Sequence, residues 1–234
     1  MKEAVVLLAA YLIGGIPFGF LIGKMRGVDV RTVGSKNIGA TNVFRTVGKK
    51  WGLLAFFLDF LKGFLPTLAA KMLVSSRMMG YNELGQPVYW SSEYPEWLPL
   101  AVGIVCVVGH MLTPYMKFKG GKGVATAFGM LVALVPALVG IAFLLFAVVF
   151  ALSHYISLGS CVAALFLAVS VWICRFVVPD GWNARVDTPT AVAITAIALF
   201  VVWKHRANIQ RLIKGCENKI YLFGSRNGPE TRNP

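Results

Sequence analysis

The segment from residue 117 to 126 has the composition of a phosphate-binding loop. It reads KFKGGKGVAT, with three lysines and three glycines immediately before a long apolar run. Clustered glycines let backbone N–H groups point at one anion, and a helix that begins near Val124 aims its positive dipole end at the same place. Lys122 adds a full charge there. A basic flank that anchors a helix to anionic lipid would explain Lys117 and Lys119 but not the glycines. The other candidates in this loop are Gly120, Gly121 and Gly123.

A second polar stretch reads GSKNIGATNVFR and runs from Gly34 to Arg45. Its glycines allow tight backbone turns, its hydroxyl and amide side chains can donate to oxygen atoms, and its arginine is a planar fork suited to phosphate. A surface loop made of turn-forming residues is the alternative interpretation. The density of polar groups beside apolar runs favours a binding site. The candidates are Gly34, Ser35, Asn37, Thr41, Asn42 and Arg45.

Two further stretches hold polar side chains near apolar runs. KHRANIQRLIKGCENK, from Lys204 to Lys219, places His205 and Asn208 three residues apart, on one face of a helix. A lone histidine is more often structural, but this one has an asparagine and several cations beside it. In SHYISLGS, residues 153–160, Ser157 and Ser160 either line a site or cap a helix.

These stretches must be positioned by membrane helices. The chain of 234 residues is 57% hydrophobic and only 14% charged, whereas a soluble domain has about a quarter of its residues charged. A membrane-spanning helix needs roughly 20 mainly apolar residues. The pattern predicts an all-α integral membrane protein, a seven-transmembrane-helix bundle with an aromatic-rich loop over 75–96. The expected helices cover 4–23, 51–74, 97–114, two short helices within 124–157 that turn at Pro136 and Gly140, 158–178 and 190–203.

The positive charges set the orientation of this bundle. Seventeen of the 23 lysines and arginines fall in segments 24–50, 115–123 and 204–234, and cytoplasmic loops carry such an excess. The prediction is an extracytoplasmic N-terminus and a cytoplasmic C-terminus, with every polar stretch on the cytoplasmic side. The same distribution explains the net charge of +13 without nucleic acid as a partner.

Asp59 and Lys62 are charged residues inside the second predicted span. Each charge costs roughly 2.5–3.5 kcal/mol at the centre of a membrane helix, so such residues usually pair or take part in function. Their spacing of three residues favours a mutual ion pair with a structural role. The four cysteines have no ligand-like spacing, so neither a disulfide framework nor a metal site is expected.

Three motifs in order resemble those of the bacterial membrane glycerol-3-phosphate acyltransferases that use acyl phosphate, the PlsY family. The family pattern G-S-x-N-x-G-A-T-N-x-x-R matches Gly34 to Arg45, and the pattern from G-H to F-K-G-G-K-G-V-A-T matches Gly109 to Thr126. The pattern R-H-R-x-N-I-x-R-L-x-x-G-x-E-x-K matches Lys204 to Lys219. The similarity extends to about residue 224. This chain departs from the family pattern at Lys36, Pro114, Lys204 and Cys216.

The resemblance implies that an acyl group passes from acyl phosphate to the 1-hydroxyl of glycerol 3-phosphate, giving lysophosphatidic acid and phosphate, the first acylation of phospholipid biosynthesis. It implies that glycerol 3-phosphate is held by the catalytic residues Ser35, Arg45, Lys122, His205 and Asn208. The acyl-phosphate head would lie on the backbone of Gly120, Gly121 and Gly123, with Thr41 and Asn42 nearby. Further substrate-binding residues would be Gly34, Asn37, His110, Ser157 and Ser160. Either His205 or a phosphate oxygen of the donor could take the hydroxyl proton.

The resemblance also implies a single domain over residues 1–224, followed by a disordered tail over 225–234. We expect a monomer that needs no cofactor, located in the bacterial inner membrane with its active site on the cytoplasmic face. The rival hypothesis is a membrane transporter of an organic phosphate. A site near mid-membrane and internal repeat symmetry would favour transport, whereas the polar stretches here gather at one face.

Overall fold

The computed structural model describes residues 1–74, 77–83, 87–90, 92–177 and 186–220. Within these ranges the chain forms ten α-helices, a 3-10 helix at Pro114–Met116 and one β-hairpin. The predicted tail over 225–234, with Asp180 and Arg185 of the last predicted loop, lies outside the described residues. The α-helices are α1 (Lys2–Gly15), α2 (Phe18–Met25), α3 (Ala40–Thr46), α4 (Lys49–Val74), α5 (Leu98–Met111), α6 (Val124–Leu134), α7 (Pro136–Ser153), α8 (Ile156–Val177), α9 (Thr188–Lys204) and α10 (Arg206–Ile213).

The helices confirm an integral membrane protein. In the described ranges, five helical segments are long and apolar enough to cross a membrane: Lys2–Met25, Lys49–Val74, Leu98–Met116, Pro136–Ser153 and Ile156–Val177. A sixth segment qualifies if α9 and α10, which meet at a 52° bend, are taken together. Helix α6 is also apolar but has 11 residues, which at 1.5 Å per residue reach roughly half of a 30 Å hydrocarbon layer.

Prolines set two of the helix boundaries. Helix α7 begins at Pro136, where the missing N–H costs nothing because the first turn has no intrahelical acceptor for it. The predicted turn is therefore at Pro136, and Gly140 lies inside α7. The first predicted span is broken between Gly15 and Phe18, since Pro17 cannot donate a helical hydrogen bond. We did not predict this break.

The hairpin corrects the predicted loop over 75–96. Strand β1 (Arg77–Tyr81) pairs antiparallel with β2 (Pro87–Trp90). The sequences RMMGY and PVYW contain aromatic and β-branched residues, which favour strands. We predicted only an aromatic-rich loop for this segment and did not predict the pairing of strands.

Helix α4 packs against α5 and α6, while α8 packs against α7 and α9. The contact between α4 and α6 is close because it uses glycines on both helices. A Cβ atom added at Gly63 would overlap the carbonyl oxygen of Thr126, and one at Gly129 would overlap that of Phe60. Small residues commonly let membrane helices approach in this way. This contact holds the N-terminus of α6, and the loop before it, beside α4 and α5.

Candidate active site

Lys122 and Asn208 join two of the polar stretches. Lys122 ends the loop that leads into α6, and its Nζ donates to Oδ1 of Asn208 in α10 at 2.6 Å. Nδ2 of Asn208 donates to Oε1 of Glu217 at 2.8 Å. Because the amide nitrogen is engaged by a carboxylate, the amide oxygen is turned toward the lysine. The structure therefore brings the two motifs into direct contact, 86 residues apart in sequence.

Glu217 is the centre of a hydrogen-bond network. Its buried carboxylate also accepts from Oγ of Ser157 at 3.0 Å and from Nε of Arg211 at 2.7 Å. Burial raises the pKa of Glu217, but the hydrogen bonds from Asn208, Arg211 and Ser157 outweigh it and leave the pKa below its ordinary value. The carboxylate is therefore ionised and fixes three donors around itself. Ser160 lies three residues further along α8 than Ser157.

Arg45, at the last turn of α3, lies at the edge of this network. Its Nη2 donates to the main-chain oxygen of Asn218 at 3.2 Å. Its Nε is buried, and within the described part of the chain it has no hydrogen-bond acceptor. Burial, with help from the nearby positive charge of Arg211, lowers the pKa of Arg45 despite the attraction of Glu217. Buried donors are rarely left without a partner, so this N–H is suited to an anionic ligand.

Three positively charged side chains, those of Lys122, Arg45 and Arg211, lie near the carboxylate of Glu217. Burial is the main cause that lowers the pKa of Lys122 to about 8, and the charges of Arg211 and Arg45 add to it while Glu217 opposes them. Lys122, Arg45 and Arg211 together exceed Glu217 by two positive charges. A phosphate monoester carries about −1.5 to −2 at pH 7. The cluster, which we call the cation cluster, therefore has the charge needed to hold one phosphate dianion.

His205 lies at the bend between α9 and α10 and is buried. Its Nδ1 is 2.8 Å from the main-chain oxygen of Val201. A carbonyl can only accept, so Nδ1 carries the proton and Nε2 is left as an acceptor. Burial, and then the charge of Lys122, lower the pKa of His205 to about 4. The ring is thus neutral near pH 7 and can accept a hydrogen bond from a hydroxyl group.

The stretch from Gly34 to Arg45 uses its amides differently from the prediction. Asn42 is buried, and its Nδ2 donates to the main-chain oxygen of Val30 at 2.7 Å while its Oδ1 accepts from the N–H of Ser35 at 2.9 Å. Asn42 therefore shapes the loop and presents no free group to a substrate. Gly34 has a φ of 59°, and a Cβ atom there would overlap Oδ1 of Asn42.

The remaining candidates of this stretch divide between loop structure and exposed surface. Oδ1 of Asn37 accepts from the N–H of Gly39 at 2.8 Å, which closes the turn before α3. The side chain of Ser35 is at the surface. Thr41 lies in α3 four residues before Arg45, so both side chains are on the same face of that helix. Arg45 is tied to the C-terminal motif by its hydrogen bond to the main-chain oxygen of Asn218.

The predicted amide cradle at Gly120 and Gly121 is wrong for these two residues. The N–H of Gly120 donates to Met111 O at 3.0 Å, and the N–H of Gly121 donates to His110 O at 3.1 Å. Both amides are therefore occupied by the end of α5. Cβ atoms added at these two glycines would overlap the carbonyl oxygen and the ring of His110. Gly123 has a φ of 79° at the start of α6, where a glycine is favoured. The glycines serve close packing, and Lys122 is left as the group that can meet an anion.

His110 supports this loop from α5. Its ring packs against Gly121, and its Nδ1 is 3.6 Å from Oδ1 of Asp59. The predicted ion pair between Asp59 and Lys62 is confirmed at 2.7 Å, with both side chains buried. His110 thus contacts the loop and the ion pair rather than the cation cluster, which places it behind the site and not among the groups that line it.

Glu217 and Arg211 are functional candidates that we did not predict. Both occur in the third motif, Lys204 to Lys219, in which we singled out only His205 and Asn208 as candidates. The predicted cytoplasmic segments contain only three carboxylates, Asp29, Glu217 and Glu230. That scarcity was the available signal, because a single acidic residue among many cations is well placed to fix their positions.

An apolar cleft of about 250 Å³ ends at the cation cluster. It lies between α5, α6 and α9, and Lys122 and Gly123 stand at its polar end beside Val201. Its walls are otherwise apolar, so it can take a hydrocarbon chain whose polar head remains at Lys122. The residues that line it include Ile104, Val108, Met111, Ala127, Ala193 and Phe200.

Comparison with known proteins shows which family this chain resembles. The family model described as glycerol-3-phosphate acyltransferase matches residues 4–215. A glycerol-3-phosphate acyltransferase of Aquifex aeolicus (strain VF5) is 38% identical over 222 residues, which cover 94% of this chain and 100% of that protein.

Two solved structures extend the likeness to the fold. Crystal structures of PlsY, an integral membrane glycerol 3-phosphate acyltransferase, in its glycerol 3-phosphate form and its lysophosphatidic acid form have TM-scores of 0.77 and 0.73. In both cases the sequence identity is 34%, and the match covers 94% of this chain and 96% of the other. The chain belongs to the PlsY family of membrane glycerol-3-phosphate acyltransferases.

Proposed function

We propose that this protein transfers a fatty acyl group from acyl phosphate to the 1-hydroxyl of glycerol 3-phosphate, giving lysophosphatidic acid and inorganic phosphate. The observation that carries the proposal is the cation cluster at the polar end of an apolar cleft. A soluble dianion and a lipid with a phosphate head can meet there. Membership in the family supports glycerol 3-phosphate as the acceptor, and the chemistry of the site supports acyl phosphate as the donor.

The phosphate of glycerol 3-phosphate binds between Arg45 and Lys122 in this proposal. The buried Nε of Arg45 would gain the acceptor that it lacks in the described residues. Lys122 would exchange its hydrogen bond with Asn208 for one with the phosphate. Asn208 and the Ser35 hydroxyl would then hold the glycerol end. Charge-assisted hydrogen bonds of this kind are roughly twice as strong as neutral ones.

The acyl chain of the donor lies in the apolar cleft, and its phosphate lies near Lys122 and the N-terminus of α6. The helix dipole favours an anion at that position. Thr41 lies on the same face of α3 as Arg45, and its hydroxyl group would also contact the donor phosphate. Gly120 and Gly121 contribute the tight packing of the loop rather than their amides, and Gly123 lets the chain turn into α6.

The reaction needs no covalent protein intermediate, because acyl phosphate is already an activated mixed anhydride. The 1-hydroxyl oxygen attacks the acyl carbon, the bond from that carbon to the phosphate oxygen breaks, and phosphate leaves. Cations near the leaving group stabilise its developing charge. Positioning of the hydroxyl against the carbonyl can supply roughly 7–11 kcal/mol of the barrier.

The hydroxyl proton passes to a phosphate oxygen in this proposal. His205 has a pKa of about 4, whereas the second pKa of a phosphate monoester is about 6. Before the substrates bind, the phosphate is therefore the stronger base of the two. The role left to His205 is to accept a hydrogen bond at Nε2 and so orient the hydroxyl group. The alternative, His205 as general base, is the one that its lowered pKa disfavours.

An assay of the purified protein with two donors tests the proposed function. With glycerol 3-phosphate present, palmitoyl phosphate should give lysophosphatidic acid and phosphate in equal amounts, and palmitoyl-CoA should give none. Lys122→Ala should raise the KM for glycerol 3-phosphate by at least about tenfold, which corresponds to about 1.4 kcal/mol. Turnover with palmitoyl-CoA but not with palmitoyl phosphate would contradict the proposal that acyl phosphate is the donor. Uptake of glycerol 3-phosphate into vesicles without acylation would instead support a transporter.

We also propose seven membrane spans with the N-terminus outside the cell and the site facing the cytoplasm of a bacterial inner membrane. In this arrangement α6, although short, counts as one span. The distribution of lysine and arginine supports the orientation. A single domain over residues 1–224 and a monomer that needs no cofactor stay predictions, and light scattering of the detergent-solubilised protein tests the monomer.

A further inference from the structure

A buried ion pair on α4 contacts the break in the first span. Nζ of Lys62 lies 2.7 Å from Oδ1 of Asp59, and both side chains are 2% exposed. The same Nζ donates to the main-chain oxygen of Ile16 at 2.7 Å. Ile16 lies in the break between α1 and α2. The pair therefore holds this break against α4.

Stability alone is a weak reason for such a pair. Replacement of a buried ion pair by apolar side chains of similar volume is often neutral or stabilising. Charges inside a membrane span more often mark function. Neither Asp59 nor Lys62 is in the cation cluster, so a functional role must pass through another residue.

His110 provides the connection. Its Nδ1 faces Oδ1 of Asp59 at 3.6 Å. The same ring packs against Gly121, and the main-chain oxygen of His110 accepts from the N–H of Gly121 at 3.1 Å. Both the ring and the backbone of His110 thus contact the residue that immediately precedes Lys122. His110 is itself buried, so its position is fixed by α4 and α5.

The loop that carries Lys122 needs such a support. Three of the residues from 119 to 123 are glycines, which have wide backbone freedom when nothing holds them. Lys122 must nonetheless keep its Nζ in reach of Asn208 and of a bound anion. A charge-assisted hydrogen bond to a phosphate needs a donor–acceptor distance of about 2.7–2.9 Å, so displacement of Lys122 would weaken the binding of the anion.

We infer that Asp59, Lys62 and His110 form a positioning network that holds the loop at Gly121 and thereby places Lys122 for glycerol 3-phosphate. This inference rests on the proposed function, since it assigns the phosphate of glycerol 3-phosphate to Lys122. The three residues are positioning residues: they act through the loop and do not touch the substrate.

The test compares His110→Phe with His110→Gln and with the control Thr67→Val. Phenylalanine keeps a planar ring beside Gly121 but has no polar atom to face the carboxylate of Asp59, whereas the side-chain amide of glutamine has an N–H donor for it. Thr67 is buried on the same helix as Asp59, and its hydroxyl donates to Gly63 O, away from the loop. We expect the KM for glycerol 3-phosphate to rise at least about tenfold in His110→Phe. We expect kcat to change less than about threefold, and His110→Gln and Thr67→Val to stay within about threefold of the parent in both constants.

A double variant separates positioning from general damage. If His110 acts through Lys122, His110→Phe adds nothing to the KM effect of Lys122→Ala, because coupled residues are not additive. Multiplication of the two effects, or a normal KM in folded His110→Phe, overturns the inference. If His110→Phe does not fold in detergent, Asp59→Asn takes its place with the same expectations. A normal KM in Lys122→Ala would contradict the proposed function. A raised KM in Lys122→Ala together with a normal KM in His110→Phe would contradict only the positioning network.

Discussion

Lys122 is the residue at which the charge of the site is most sensitive to pH. Its pKa is lowered to about 8, first by burial and then by Arg211 and Arg45. Both arginines stay charged throughout the physiological range because their ordinary pKa exceeds 12. As the pH rises through about 8, the cluster therefore loses one of its three positive charges and the phosphate site weakens.

The first prediction is a rise in the KM for glycerol 3-phosphate between about pH 7 and about pH 9. The substrate phosphate is a dianion over this range, since its second pKa is about 6. The change in KM must then come from the protein. One pH unit above the pKa of Lys122, only about a tenth of the Lys122 side chains are charged, so KM should rise about tenfold. Steady-state kinetics at fixed saturating donor measure it.

Lys122→Arg is the matched control, because arginine keeps its charge over the whole range. Its KM is expected to be independent of pH, even if its absolute value is higher. The assignment of the pH dependence to Lys122 would be wrong if the parent protein gave a flat profile, or if the arginine variant kept the same slope.

At the scale of the elements, the contact between α4 and α6 fixes where the loop begins. Gly63→Ala should therefore lower the thermal stability, since a Cβ atom there overlaps the main-chain oxygen of Thr126. Main-chain atoms cannot move aside as a flexible side chain can, so the helices must separate. Thermal unfolding in detergent measures the effect, and a typical overpacking cost is about 1–3 kcal/mol.

Gly140→Ala serves as the control for this prediction. Gly140 also lies within a helix, α7, but a Cβ atom there would meet no atom within 4 Å among the described residues. Because alanine has a higher helix propensity than glycine, Gly140→Ala should leave the unfolding temperature unchanged or raise it. Equal destabilisation by both variants would show that the effect of Gly63→Ala does not come from the close contact between α4 and α6.

The cleft along α9 leads to a prediction about chain length. Ala193 and Val201 line it eight residues apart, a distance of about 12 Å along the helix. Ala193→Phe should block the end far from Lys122. We expect kcat/KM for palmitoyl phosphate to fall about tenfold relative to decanoyl phosphate, as burial of about two methylene groups is lost.

Leu199→Phe adds a ring to the same helix on an exposed face and should leave the ratio of the two donors unchanged. Competition between the two acyl phosphates, followed by mass spectrometry of the products, measures the ratio directly. An unchanged ratio in Ala193→Phe would place the acyl chain elsewhere.

At the scale of the whole molecule, Cys216 reports the side of the membrane on which the site lies. It is exposed, whereas Cys106 and Cys161 are buried, and it directly precedes Glu217. In the proposed orientation, which the distribution of positive charges supports, a membrane-impermeant maleimide should label inverted vesicles and not right-side-out vesicles. Cys216→Ser should abolish the labelling of inverted vesicles. Because Cys174 is half-buried near the other end of α8, only labelling of right-side-out vesicles that Cys216→Ser removes would reverse the proposed orientation.

Much of this molecule could be predicted from local sequence. Runs of apolar residues predicted the membrane helices, because the length and composition of a span depend on the bilayer rather than on neighbours. The spacing of Asp59 and Lys62 predicted their ion pair, since residues three apart in a helix are adjacent. The motif residue types also identified Lys122, Asn208, His205 and Arg45 as candidates.

The tertiary structure alone decided what each polar group faces. Glu217 binds Ser157 sixty residues away, and no local pattern indicates such a partner. The amides of Gly120 and Gly121 bind the end of α5, and Asn42 binds its own loop, although their sequence is equally compatible with binding an anion. The physical reason is that sequence determines which groups can donate or accept, while the packing of distant helices determines which partner is within hydrogen-bond distance.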